Sequence, residues 1–132
     1  MLELTKIGSG TWNLAGAVNY RGATLVGLAT LQVSGTLTTT NFIIVSNTAT
    51  VGLPGIVTAN TVQINSGGTR TGCEPINGNE LNNGSELANC GATLAISGNV
   101  TNNGTMELIS DSGISVSGIF VNNGLLEVLT GT

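Results

Sequence analysis

Two cysteines, seven carboxylates, three basic side chains and no histidine are the reactive groups of this 132-residue chain. General acid/base work needs paired carboxylates, an imidazole or an amine held against a substrate. Here the glutamates fall about one to each of the structural repeats defined below, and Lys6, Arg21 and Arg70 are scattered. No nucleophile can be paired with a base, so the chain reads as a non-enzyme. Asp111 is the single aspartate and the Asp-rich Ca²⁺ nonapeptide is missing, so no metal or cofactor is expected. The thiols point to different chemistry. Cys73 and Cys90 bound a loop of 18 residues and read as one disulfide, which belongs to an oxidising compartment. Two unrelated buried thiols are the alternative.

Composition says what must position these groups. Charged residues are 8% of the chain, aromatics 3%, and there are 20 Gly. Thr, Ser, Asn and Gly take the outer positions that Lys, Glu and Arg hold on helical domains, and they favour strands and turns. The expectation is one all-β domain over residues 1–132. Net charge is −4, which excludes the basic footprint of nucleic-acid binding or of an anionic membrane surface. No run of 18 apolar residues offers a membrane span. The segment from Met1 to Lys6 lacks a signal peptide's basic and apolar regions, so the chain is expected to be mature or exported by another route.

A repeat organises the second half. The segment from Ile96 to Gly104 lies over that from Val116 to Gly124 at an offset of 20, and a further step back reaches Asn82. Three Asn-Asn-Gly triplets result: Asn82-Asn83-Gly84, Asn102-Asn103-Gly104 and Asn122-Asn123-Gly124. Between them apolar residues align: Leu94 with Ile114, Ile96 with Val116, Val100 with Phe120, Met106 with Leu126, Leu108 with Val128. Each segment alternates with period two, as half-buried strands do. Coiling stacks equivalent residues about 4.8 Å apart, which predicts a single-stranded parallel β-solenoid of about six rungs. The triplets become a corner ladder, with Gly supplying a positive φ and Asn side chains bonding along the axis. Three separate type I′ hairpins are the competing reading.

Residues 71–90 form the weakest rung. Glu74 takes the place of Leu94, Glu80 that of Val100, and Pro75 interrupts the strand. The segment is expected to be an exposed, disulfide-bounded excursion. The first half repeats less strictly. The segments Leu31–Leu37 and Trp12–Val18 resemble those at Ile96 and Val116, Gln63–Gly67 is a further candidate, and Pro54-Gly55 marks a turn. Trp12 is expected in the core, in phase with Ile114.

The segment Gly10–Thr24, followed by Thr30-Leu31-Gln32-Val33-Ser34-Gly35, resembles the autotransporter-associated β-strand repeat of bacterial surface and secreted proteins. The Asn-Asn-Gly rungs are similar to those of filamentous adhesins. The resemblance implies a right-handed parallel β-helix at the cell surface; neither motif is catalytic, and the resemblance leaves activity open. A translocator barrel and the long passenger of many rungs are not part of this sequence.

The ends echo each other: Leu2-Glu3-Leu4-Thr5 resembles Leu126-Glu127-Val128-Leu129-Thr130 and the internal Met106-Glu107-Leu108, with Ser85-Glu86-Leu87 as a weaker copy. No capping helix or charged cluster is evident at either end. The expectation is an extracellular filament subunit that stacks head to tail. Leu2, Glu3 and Leu4 would meet Leu126, Glu127 and Val128, and Glu3 would extend the Glu107–Glu127 row. The alternative is a monomeric secreted adhesin or a glycan- or ice-binding module. Threonine triplets at Thr38-Thr39-Thr40, Thr48-Ala49-Thr50 and Thr69-Arg70-Thr71 suggest the ice-binding form. Their intervals of about 10 and 21 residues argue against a regular array.

Overall fold

The computed structural model describes residues 3–52, 55–73 and 75–129, and every helix or strand among them is a strand. Short alternating segments pair in parallel with the equivalent segment one turn away. The chain thereby winds into a solenoid of about six turns.

Each turn has three faces. The first carries Thr11–Leu14, Ala29–Val33, Ala49–Gly52, Thr69–Thr71, Ser85–Asn89, Thr105–Ile109 and Leu125–Val128 in one seven-stranded sheet. The second carries Ala17–Tyr20, Thr36–Thr39, Thr93–Ile96 and Gly113–Val116; the third carries Leu4–Lys6, Thr24–Val26, Phe42–Val45, Val100–Asn102 and Phe120–Asn122. Ile56–Ile64 and Ile76–Asn82 are long enough to serve both, so the second and third faces merge into one eleven-stranded sheet. The register of Ile76–Asn82 shifts between Asn77 and Asn79.

Alternation sends every second side chain inward, where it stacks on its equivalents along the axis. One column of the second face runs Val18, Leu37, Val57, Ile76, Ile96, Val116. Leu37, Val57 and Ile76 in it are fully buried, each contributing about 1.5–3 kcal/mol against exposure. The first face supplies Trp12, Leu31, Val51, Arg70, Glu86, Met106 and Leu126. The third supplies Leu4, Thr24, Ile43, Val62, Glu80, Val100 and Phe120.

All five aligned pairs of the second half are register partners, from Leu94 with Ile114 to Leu108 with Val128. The first half differs in phase. Val33-Ser34-Gly35 turns from the first face to the second, whereas Ile96-Ser97-Gly98 turns from the second to the third, and Ile64 to Gly67 leave the third. Ser-Gly thus marks different corners, and matching it between halves slides the rungs past each other. Trp12 stacks on Leu31 of the first face and is not in phase with Ile114, which pairs with Leu94 on the second. It lies in an end strand and is 43% exposed.

Residues 71–90 are not an exposed loop. Ile76–Asn82 and Ser85–Asn89 each pair with neighbours on both sides, so the coil continues through them. The first-face step shortens here, Thr69 pairing with Ser85 where Ser85 pairs with Thr105. Glu80 does sit over Val100, but buried. Glu74 and Pro54, like Leu2, lie outside the described residues.

Candidate functional site

The Asn-Asn-Gly corner forms as expected, and its two asparagine ladders run in opposite directions. Asn82 Nδ2 donates to Asn102 Oδ1, and Asn102 Nδ2 to Asn122 Oδ1, each at 2.8 Å. The second ladder donates the other way, Asn123 to Asn103 at 3.0 Å and Asn103 to Asn83 at 2.8 Å. Asn82 and Asn102 are fully buried, and each gives a further hydrogen bond at 2.9 Å, to the carbonyls of Thr105 and Leu125. The reason for glycine differs from the one expected. None of Gly84, Gly104 and Gly124 has a positive φ. A Cβ on Gly104 would lie 2.1 Å from the Gly84 carbonyl oxygen, and one on Gly124 equally close to that of Gly104. Close stacking of the corner excludes any side chain.

Cys73 and Cys90 are disulfide-bonded. Cys73 follows Thr69–Thr71 and Cys90 follows Ser85–Asn89, so both stand at the corner between first and second faces, one turn apart. What the bond encloses is one turn of the coil and not a loop thrown out from it. Ser112 holds the same corner in the following turn, where its Oγ accepts from the N–H groups of Cys90 at 3.0 Å and Gly91 at 3.2 Å.

The densest chemistry lies in the interior. Arg70 and Glu86 are register partners on adjacent turns of the first face, and Arg70 Nη1 bonds Glu86 Oε1. Glu80 reaches the same nitrogen from the third face at 3.5 Å. All three side chains are buried. Burial, and then the Glu86 charge, push the Glu80 carboxyl well above the usual carboxylate range, against the opposing pull of Arg70. Arg70 Nε and Nη2, both Glu80 carboxyl oxygens and Glu86 Oε2 make no hydrogen bond. Sealed from solvent, the triad cannot touch a substrate.

Sequence reading set Arg70 among scattered charges and took Ser85-Glu86-Leu87 as a weaker copy of Met106-Glu107-Leu108, which would align Glu86 with Glu107. Glu86 instead pairs with Met106, one residue out of phase with Glu107, and Leu87 takes the outer place. The signal was present in the alternation, because Thr69-Arg70-Thr71 leaves Arg70 inward whenever its neighbours face out.

Leu126 and Val128 are the last members of inward first-face columns, and Glu127 stacks outward on Glu107. Leu4 lies on the third face, paired with Thr24, with Glu3 just before it. The similar end phrases therefore occupy different faces, and Glu3 does not continue the Glu107–Glu127 row. At the entry end, Lys6 is buried with its ammonium donating to the carbonyls of Gly8 at 2.8 Å and Ile7 at 3.3 Å, 5.4 Å from the Trp12 ring.

Family models, curated proteins and solved structures offer no match. Function must therefore be argued from the coil itself. No cavity opens among the described residues, and no group of three or more Cys, Asp and Glu side chains gathers there that could hold a metal ion.

One outer column remains. Thr11, Thr30, Thr50, Thr69, Ser85 and Thr105 are successive register partners on the first face. Their hydroxyls stand half-buried to exposed and take no part in the corner ladders.

Proposed function

We propose that this chain is a structural subunit of an extracellular filament or surface fibre that adds end to end, with adhesion as the biological outcome. The observation that carries this reading is the character of the last turn. The inward columns reach it unchanged, Phe120 and Leu126 are half-buried, and Ile119, Val121, Leu125 and Val128 stand exposed. Among the described residues Leu125–Val128 is an end strand of its sheet, and a strand edge is a template for another strand. Charge favours the same contact. Lys6 and Arg21 lie with Glu3 in the first turns, and Glu107, Asp111 and Glu127 lie in the last. Opposite ends of opposite leaning attract, and a heterologous contact of this kind does not close. The Cys73–Cys90 bond supports an oxidising compartment.

In coil register, Leu125–Val128 would carry Thr11–Leu14 of the next copy, setting Trp12 on Leu126. Phe120–Asn122 would carry Leu4–Lys6. Electron microscopy of the purified, disulfide-intact protein tests the reading: filaments are expected, and monodisperse particles at high concentration would sink it. Leu126→Asp and Trp12→Asp should each abolish filaments while keeping a β-rich circular dichroism spectrum. Filaments that survive both changes mean that the junction lies elsewhere.

The outer hydroxyl column favours a second reading, binding to ice. Thr50 and Thr69 belong to one local step of the coil, which the triplet intervals concealed. Uncharged hydroxyls about 4.8 Å apart along one sheet present a regularly spaced row. Thermal hysteresis in the wild type, lost in Thr50→Lys, would favour this reading; its absence would dismiss it. Glycan stacking has less to work with, because Tyr20 is buried against Thr24 and leaves Trp12 as the exposed large ring.

A further inference from the structure

Arg70, Glu80 and Glu86 converge from three strands, Thr69–Thr71 and Ser85–Asn89 on the first face and Ile76–Asn82 spanning the second and third. Their neighbours in the columns are apolar: Val51 and Met106 on the first face, Val62 and Val100 on the third. The second face contributes Ile76 and Ile96 at this level, and no described residue there is charged. Fully ionised, the triad would carry one positive and two negative charges where no solvent reaches. An unbalanced charge in a medium of low polarity is far costlier than a neutral acid, so such a site takes up a proton.

We propose that the folded coil holds one proton on the Glu80–Glu86 pair, drawn from solution at neutral pH, and that this proton keeps the two turns joined by Arg70 and Glu86 in register. Glu80 is the acid. It reaches the guanidinium at 3.5 Å, whereas Glu86 bonds it directly, so Glu86 keeps the charge that Arg70 matches. With Glu80 neutral, Arg70 and Glu86 balance and the three groups sum to zero. One proton leaves solvent on folding and one returns on unfolding; no covalent bond changes.

The sign follows from linkage. An unfolded glutamate loses its proton near pH ~4.3, while the folded chain keeps that of Glu80 well above it. Over this interval the unfolded state binds fewer protons. Stability is therefore greatest on the acid side and falls as pH rises, about tenfold in folding equilibrium constant per pH unit, until Glu80 ionises within the fold. The chain has no histidine, so between about pH 5.5 and 6.5 no other side chain of ordinary pKa titrates, and a terminal amine joins only above that.

Urea unfolding of the disulfide-intact protein, followed by far-ultraviolet circular dichroism over that range, reads the slope. The wild type should lose about tenfold per unit, and Glu80→Gln, which keeps a donor but no titrating proton, should be flat. A flat wild type, or a slope retained in Glu80→Gln, overturns the proposal. Should that variant fail to fold, the unaltered protein gives the answer by carboxyl carbon-13 resonance at pH ~7, where an exposed glutamate is fully ionised. One glutamate should then carry the shift of a neutral acid, and a spectrum with every carboxyl ionised rejects the idea.

Discussion

Cys73 and Cys90 occupy one corner of the coil on successive turns, with Cα atoms 6.3 Å apart. The separation lies within the ordinary span of a disulfide. The bond ties two turns where the first-face step is shortest, Thr69 pairing with Ser85. In the chain-entropy model a loop of this size contributes about 3 kcal/mol. Reduction, or the paired Cys73→Ser and Cys90→Ser change, should lower the unfolding free energy by about that amount and leave the β-sheet spectrum in place. Urea titration with and without reductant measures it.

Glycine is required where backbones stack closely at a corner and is optional at an open position such as Gly16. A methyl on Gly104 would meet the Gly84 carbonyl oxygen at 2.1 Å, a backbone atom held by the next rung, whereas one on Gly16 meets nothing within 4 Å. Gly104→Ala should destabilise by about 2 kcal/mol or more through overpacking. Gly16→Ala should stay within about 0.5 kcal/mol of the wild type. Thermal melts of the two variants side by side make the comparison.

The inner asparagine ladder should matter more than the outer. Asn102 is buried and bonded to Asn82, Asn122 and the Leu125 carbonyl. Asn102→Leu removes the acceptor of one N–H of the buried Asn82 amide, at a cost of about 1–3 kcal/mol. Asn103, exposed, gives one bond and accepts one; Asn103→Ala should cost about 1 kcal/mol or less. Chemical denaturation of both variants tests the ranking.

The buried triad should behave as a specifier of register more than as a source of stability. Arg70→Met alone leaves two glutamates facing each other in the apolar interior and should cost about 3–5 kcal/mol. Replacing all three, as Arg70→Met, Glu80→Leu and Glu86→Met, should recover most of that loss, since matched apolar groups often equal a buried ion pair. A triple variant no more stable than the single one would contradict this account.

These variants also mark how much of the architecture could be read in advance. The strict step of 20 residues made Leu94–Ile114 and Met106–Leu126 legible, because apolar alternation and Asn-Asn-Gly moved together there. Glu80 was matched correctly to Val100, yet its charge suggested exposure. The compensating Arg70 lies ten residues earlier in sequence and one face away, a pairing that becomes visible once the short step to Ser85 is known. The phase of the first half was hidden for a related reason. Ser-Gly serves any corner where backbones stack closely, so it reports a corner without saying which. The end phrases misled likewise: Leu4 and Leu126 share a local pattern, and alternation alone does not name a face.

The corner disulfide also bears on how the coil would respond to force. Its ladders lie along the axis, so a pull on the two ends peels turns one after another from each tip. Between Cys73 and Cys90, 17 positions apart, the tension passes through sulfur and bypasses the enclosed turn. Roughly 60 Å of contour stays out of reach until the bond is cut. An oxidised rod would thus stretch less than a reduced one, with a stop built into its middle.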